Sequence, residues 1–410
     1  MLGGHSSLDP PDPIPNSEVK RTRADDSVDY PCESRSPPGS LSDRPPQRKL
    51  QGVLFFIAHI PQASVCRNFY SAYVLTCDHP NLNLPLKPLT FAVLRLLSDG
   101  EFHSGEGMAQ QLNVSSASIW QAMRHLDEAG VDLFRVPGRG YRLREPLHWI
   151  DKDKIYAGLG DKAGFFDLEV ADSLASTNNR LLEKAVQGAP KGSCVITEMQ
   201  TAGRGRRGRE WHVNLGGSLT FSVLWRFNQG AGFLSGLSLA VGVALMRALN
   251  QAGVSGAGLK WPNDVLHRHR KLAGILIELQ GDMLGPSAAV IGIGINLKLS
   301  GKVLNRIDQA AVDIHSIRGD VPERNLFLAN ILRHLADVLN EFDEGGFASL
   351  REEWLQHHAY HEKRVLLMLP DGSQHQGHVL DVAEDGALLV RTALGQQRFT
   401  SGEISLRGVT

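Results

Sequence analysis

Three changes of residue pattern along 410 residues predict a multidomain α+β chain: a helical unit closed by a hairpin, an α/β core on a mixed sheet, and a small β-barrel. Helical stripes with caps and glycine stops run from Pro85 to Gly130, strands and helices alternate over 165–300, and short strands with Asp-Gly turns follow His361. The 42% hydrophobic and 21% charged content is that of an ordinary soluble protein, long enough for two to four domains. A formal charge of -1 and a pI near 7.0 argue against a chain that coats nucleic acid or membrane, while leaving room for a local basic element. The best apolar run, VLFFIAHI at 53–60, is stopped by Pro61 and Arg67, well short of the roughly 18 residues a membrane span needs. Four cysteines, with Cys32, Cys66 and Cys77 in the first eighty residues, form neither a metal-ligand spacing nor a disulfide framework, which reads as a reducing, cytoplasmic setting.

Nine of the twenty prolines fall in the first fifty residues without an apolar period, so residues 1–82 are expected to be a disordered extension. A start assigned too far upstream would also explain the segment, with Val74, Leu82 or Leu84 standing at the true start. From Pro85, Leu89, Val93, Leu96 and Leu97 give one helical stripe, HSGEGMAQQLN a second short helix, and SSASIWQAMRHLDEAG a third, capped by Ser115 or Ser116 and closed by Gly130. VDLFRVPGRGYRL follows as two strands around a Pro-Gly turn, so residues 86–146 have the order of a winged helix-turn-helix.

In the next region EVADSLASTN leads into the helix NRLLEKAVQG, and SCVITEMQ and SLTFSVLW are strands flanking an arginine-rich loop. FLSGLSLAVGVALMRALNQAG is a buried helix, KLAGILIELQ and AAVIGIGINL are strands, and helices at 325–343 and around 347–357 complete a core over 150–358. Residues 361–408, with RVLLML, HQGHVLDVAED, GALLVRT and QQRFTS as strands and turns at Asp371-Gly372 and Asp385-Gly386, form the barrel.

Four stretches carry chemistry. TAGRGRRGREW, Thr201 to Trp211, sets Arg204, Arg206, Arg207 and Arg209 among Gly203, Gly205 and Gly208. Glycine backbone amides approach a phosphate closely and guanidinium forks match its oxygens, although no Walker-type Lys-Ser/Thr follows. By itself the stretch also suits a solvated basic loop or an RNA-binding tract. KWPND, Lys260 to Asp264, restricts a lysine with a following Trp-Pro pair, which aims its ammonium at one spot; alone it also reads as a surface turn. KLAGILIEL, Lys271 to Leu279, and GIGINL, Gly292 to Leu297, read as buried strands with glycines where a ligand or another backbone comes close. ASTNN, Ala175 to Asn179, either caps the next helix or hydrogen-bonds a polar ligand head.

In this order the four stretches resemble the biotin-protein ligases, in particular the bifunctional bacterial type that also represses the biotin operon. The resemblance covers about 86–408 and implies a winged helix-turn-helix, a biotin/lipoyl ligase-type catalytic core and an SH3-like barrel. It implies that biotin and ATP give biotinyl-5'-AMP and pyrophosphate, and that a lysine of the biotin carboxyl carrier protein of acetyl-CoA carboxylase then takes the biotin. Lys260, Arg206 and Arg209 are the implied catalytic residues. Ser176, Thr177, Asn178, Gln200, Arg204, Gly205, Arg206 and Lys260 would meet biotin, and Gly203, Arg209, Trp211 and Asn296 the adenylate. Mg2+ would travel with ATP, since no protein motif for a metal is present.

The resemblance also implies a homodimer when adenylate is bound and an operator DNA partner, contacted by Ser115, Ser116, Ser118, Arg124, Arg139 and Arg142. Residues 86–146 carry seven basic and seven acidic side chains, so phosphate affinity must come from the clustered Arg135, Arg139, Arg142 and Arg144 of the hairpin. The alternatives are a ligase whose helix-turn-helix regulates nothing, a lipoyl or octanoyl transferase, which would lack the full arginine loop with KWPND, and a transcription factor that only senses a small molecule, which needs no aimed lysine.

Overall fold

The computed structural model describes residues 86–408 apart from 130, 282–284, 370–371 and 401–404; the extension expected over 1–82 lies outside these residues, as does Asp371 of the first Asp-Gly turn. The chain opens with α1 (Pro88–Leu97), α2 (Gly105–Gln111) and α3 (Ser116–Glu128), followed by the antiparallel hairpin of β1 (Leu133–Val136) and β2 (Gly140–Leu143). Phe91, Leu94, Leu97, Met108, Ile119, Met123 and Leu126 form its core, the face that the apolar spacing marks out. Of the two candidate caps of α3, Ser115 takes the role: its Oγ accepts from Ser118 N at 3.2 Å.

The core begins with α4 (Lys152–Leu159), which the sequence reading did not anticipate, then β3 (Asp167–Leu174), α5 (Thr177–Val186), β4 (Ser193–Gln200) and β5 (Ser218–Phe227). α6 (Leu237–Gln251) is followed by β6 (Ala257–Lys260), β7 (Asp264–His267), β8 (Arg270–Gly281) and β9 (Ser287–Asn296). The short α7 (Gly301–Leu304) and α8 (Ile314–Arg318) lead to α9 (Arg324–Gly345) and α10 (Arg351–Gln356). The helix expected around 347–357 is thus a 3-10 turn at Gly346–Leu350 and a shorter α-helix. Seven strands form one mixed sheet in the order β3-β4-β5-β9-β8-β7-β6, with β3 and β4 parallel and the other neighbours antiparallel.

The pleat sorts the central strands. Leu219, Phe221, Val223 and Trp225 of β5 and Ala289, Ile291, Ile293 and Ile295 of β9 join α6 and α9 in the main core. On the other face Val195, Leu224 and Val290 pack with Leu181 and Ala185 of α5. Between these packed regions that second face carries Thr220, Ser222, Gly292 and Gly294, residues too small to fill it.

The last segment contains β10 (Arg364–Met368), β11 (Gln374–Val382), β12 (Leu388–Thr392), β13 (Gly395–Phe399) and β14 (Ser405–Gly408) in a five-stranded antiparallel sheet. The reading above gave four strands; β14 is the addition, pairing with β10. The turn at Asp385-Gly386 faces the core: Trp261 Nε1 donates to Gly386 O at 3.0 Å, and Ser235 Oγ donates to Asp385 O at 2.7 Å.

A buried ion pair fastens the helix-turn-helix segment to the core. Arg324 Nη2 lies 2.9 Å from Glu198 Oε2, the two side chains being 4% and 2% exposed. Arg324 also donates to His148 O at 2.6 Å, Ile150 N donates to Glu198 Oε1 at 2.6 Å, and Asn325 holds Trp149 O and Asp151 N. The connecting residues 148–151 therefore rest on two neighbouring side chains of α9. Arg324→Met leaves the Glu198 carboxylate buried without a counter-charge, and we expect a loss of about 3–5 kcal/mol of unfolding free energy in urea titrations; an unchanged midpoint would contradict this account.

Candidate active site

α5 starts at a cap that is also a wall. Ser176 Oγ accepts from Asn179 N at 3.4 Å, the usual arrangement at a helix start. The next two residues turn inward, each 3% exposed. Thr177 N donates to Gln200 Oε1 at 2.9 Å, and Ser222 Oγ lies 2.7 Å from Thr177 Oγ1 and donates to Asn178 Oδ1 at 2.6 Å. Asn178 Nδ2 donates to Glu278 Oε2 at 2.8 Å and to Leu276 O at 3.2 Å. Capping and ligand-facing roles are thus divided between adjacent residues of ASTNN.

The register of the sheet explains where these side chains stand. Ser222, Gly292 and Leu276 form one row across β5, β9 and β8, and Thr220, Gly294 and Gly274 form the next on the same face. A Cβ at Gly292 would collide with Asn178 Oδ1, and one at Gly294 with the Trp211 indole. The glycines in GIGINL therefore admit side chains of the chain itself, and Gly292 and Gly294 also line the space in which a ligand was expected to come close.

The arginine loop leaves β4 and returns as a narrow excursion: Trp211 N donates to Gly203 O at 2.9 Å, and Gly205 N donates to Arg209 O at 2.7 Å. Arg206–Gly208 form a 3-10 turn with Arg207 at φ 59°. Arg204 Nη2 lies 3.0 Å from both Glu278 oxygens and also donates to Asn179 Oδ1, while Arg206 Nη1 donates to Asn263 Oδ1 at 3.3 Å. Burial lowers the Arg206 pKa against the opposing pull of Asp264.

KWPND is the turn between β6 and β7, and Lys260 and Asp264 are paired in register. Asp264 lies between two lysines, 2.7 Å from Lys271 Nζ and 3.6 Å from Lys260 Nζ, with its side chain 11% exposed. Burial raises the Asp264 pKa, but Lys271 and Lys260 outweigh it and hold the carboxyl below its usual value. Burial likewise pushes the Lys260 ammonium below the usual lysine value, opposed by Asp264 and reinforced by Lys271 and Arg209.

These elements enclose one cleft. It is lined by Ser176, Thr177, Asn178, Gln200, Arg204, Gly205, Arg206, Arg209, Trp211 and Lys260 of the expected set, and also by Arg207, Asn263, Asp264, Lys271 and Gln309. Arg204, Arg206, Arg207, Arg209, Lys260 and Lys271 face two lining carboxylates, Glu210 and Asp264, so the cleft is built for an anionic ligand. Gly203 and Asn296 are not among the lining residues. Gly203 pairs with Trp211, and Asn296 spends both amide hydrogens on Lys271 O at 3.3 Å and Val312 O at 3.1 Å, so in this form it offers a ligand no donor. Trp211 Nε1 is buried without a hydrogen-bond partner among the described residues.

Lys271, Asn263, Ser222 and Glu278 escaped the sequence reading as site residues. Lys271 and Glu278 bracket a motif read as buried packing, and the only sequence signal at Ser222 is a small polar residue in an apolar strand. Among the described residues no group of three or more His, Cys, Asp or Glu side chains could hold a metal ion, and no helix is long and apolar enough to cross a membrane.

The residues expected at DNA stand apart from the cleft, on α3 and the hairpin. Ser115 and Ser118 are hydrogen-bonded to each other at 2.9 Å, and Ser116 is exposed at the first turn. Arg124 stacks 5.3 Å from the exposed Trp120 ring, and Arg139 and Arg142 stack 4.5 and 4.8 Å from Phe102. Aromatic stacking holds guanidinium groups on the surface.

Comparison with known proteins agrees in all three parts. Residues 170–296 match the biotin/lipoate A/B protein ligase family, 90–142 an HTH domain, and 360–407 the biotin protein ligase C-terminal domain. The bifunctional ligase/repressor BirA of Salmonella typhimurium is 36% identical over 320 residues, 78% of this chain and 97% of that protein. BirA of Escherichia coli is 35% identical over 324 residues, covering 79% and 97%. The solved biotin protein ligase from Aquifex aeolicus in complex with biotin and ATP is 28% identical, covers 59% of this chain and 99% of its own, and superimposes with a TM-score of 0.51.

The slot over Gly294 can be tested without a ligand. Gly294→Ala should drive the Trp211 indole out, raising quenching of tryptophan fluorescence by acrylamide and costing about 1–3 kcal/mol in urea denaturation; unchanged quenching and stability would show that the row has spare room.

Proposed function

The chain belongs to the bifunctional ligase/repressor family of biotin protein ligases, and we propose from that premise how this cleft makes and spends biotinyl-5'-AMP. The observation that carries the reading is the lining of one cleft by six basic side chains, Lys260 and Lys271 paired with Asp264 among them, beside a hydrogen-bonding wall at Ser176–Asn178 and an indole in a fitted slot.

In the first step a biotin carboxylate oxygen attacks the α-phosphorus of ATP, and the bond to the bridging oxygen of pyrophosphate breaks. Both reactants are anions, so the barrier is dominated by bringing like charges together. Lys260 stands at the reacting carboxylate and α-phosphate, with Arg206 and Arg209 on the phosphate oxygens. Thr177, Asn178 and Gln200 form the end that takes the ureido ring, and Trp211 lies along the adenine. Asp264 partly neutralises the two lysines before the anions arrive. In the second step the amine of a lysine on the biotin carboxyl carrier protein attacks the acyl carbon, forming an amide and releasing AMP. No residue of the chain forms a covalent bond in either step. The chemistry of the lining gives Mg2+ no carboxylate pair, since Asp264 is held by two ammonium groups; the ion would be bound through ATP and supply charge neutralisation on the phosphates.

The proposed organisation is a winged helix-turn-helix over 86–146 with β1 and β2 as the wing, a catalytic core over 150–358, an SH3-like barrel over 361–408 and an extension over 1–82. The proposed setting is the cytoplasm. Adenylate binding would favour a homodimer that sets two wings and two α3 helices on a two-fold operator of the biotin genes.

Two measurements test these proposals. Lys260→Ala should fold and slow biotin-dependent pyrophosphate release by a factor on the order of 100 to 1,000. Because the charged ammonium acts and burial lowers its pKa, kcat/KM for the parent protein should fall on the alkaline side with a midpoint below the ordinary lysine value of 10.5. An active Lys260→Ala protein would refute the assignment. For DNA, anisotropy titrations on the upstream region of the biotin genes should show steeply salt-dependent binding that tightens with biotinyl-5'-AMP and falls in Arg139→Ala/Arg142→Ala. Binding indifferent to the adenylate would leave a ligase with a non-regulatory helix-turn-helix.

A further inference from the structure

We infer that Glu278 is a positioning residue that, together with the Leu276 carbonyl, decides which end of the Asn178 amide faces the ligand. Asn178 is 3% exposed, and its amide lies between two strands. On one side Nδ2 is 2.8 Å from Glu278 Oε2 and 3.2 Å from Leu276 O. A carboxylate and a carbonyl only accept, so both amide hydrogens must lie on that side. Oδ1 is therefore turned toward Ser222 Oγ, 2.6 Å away, and against Gly292, which lines the cleft. One lone pair of Oδ1 remains for a ligand. From the loop side Arg204 Nη2, 3.0 Å from both Glu278 oxygens, holds the carboxylate in place.

The cleft wall at Asn178 is thus an acceptor, and its complement is an N–H donor. The inference rests on the biotin reading, in which the ligand brings a ureido ring with two N–H groups and one carbonyl: Asn178 meets an N–H, and the carbonyl is met elsewhere. Glu278→Gln keeps the shape but introduces a donor, which lets the Asn178 amide turn over and set N–H against N–H. A buried polar pair mismatched in this way discriminates strongly.

The test is steady-state pyrophosphate release with biotin and with 2-iminobiotin, which keeps both ring N–H groups and replaces the carbonyl oxygen. Glu278→Gln should raise the KM for biotin about tenfold or more and the KM for 2-iminobiotin by the same factor, while kcat and the KM for ATP stay within about twofold. The ligand-free urea midpoint should not move. An unchanged biotin KM in Glu278→Gln, a penalty absent with 2-iminobiotin, or an equal rise in the ATP KM would each overturn the inference. A parent protein without biotin-dependent pyrophosphate release would instead overturn the ligase reading beneath it.

Discussion

The cleft depends on one packing constraint: in two adjacent rows of the mixed sheet, Ser222, Gly292, Thr220, Gly294 and Gly274 are too small to occupy the space above them. Ser222, Gly292 and Leu276 form one row, and Thr220, Gly294 and Gly274 the other. The same strands are filled by large apolar residues on the opposite face, against α6 and α9. The pleat makes this possible, because alternate residues of β5 and β9 belong to different environments. Asn178 descends from α5 into the first row and Trp211 from the arginine loop into the second. The space vacated by side chains on the strands is occupied by side chains that meet the ligand.

Charge is the second organising force. Six basic groups around a confined site would repel one another strongly in the absence of an anion. The structure moderates this by giving several of them an internal partner: Lys271 and Lys260 share Asp264, Arg204 holds Glu278, and Arg206 reaches Asn263. An anionic ligand would compete with these partners for the cations. The lowered pKa of Lys260 expresses the same balance, since burial without full neutralisation disfavours its charge.

The cleft also draws on all three parts of the chain. Trp211, Val213 and Leu215, which follow the arginine loop, pack with the helix-turn-helix core, and Arg324 with Asn325 fixes the connecting residues 148–151. On the opposite side Trp261 of KWPND donates its indole hydrogen to the Asp385-Gly386 turn of the C-terminal sheet. The two motifs that hold the cations are therefore each braced by a different flanking segment. Any movement of either segment bears on loop residues within a few positions of an arginine or the lysine.

Much of the molecule was legible because its signals are local. The strand SCVITEMQ coincides with β4, the three helices and hairpin stand in the expected order, and ten expected residues of the cleft line it, since cap residues, apolar periods and Gly/Arg spacing act within a few positions. Asn296 was expected at the adenylate by resemblance, and the structure adds that its Nδ2 serves two backbone carbonyls. α4 was missed because eight residues with few apolar positions give a weak period. The sequence by itself determined which segments become helix, strand and charged loop, and it marked Lys260 and the arginines as a set. Only the tertiary structure decided that Asp264 joins Lys260 to Lys271, and that Glu278, Asn178, Ser222 and Gly292 meet at one point. Strand register between residues 44 to 100 positions apart is set by pairing and packing of the whole sheet, and no single strand encodes it.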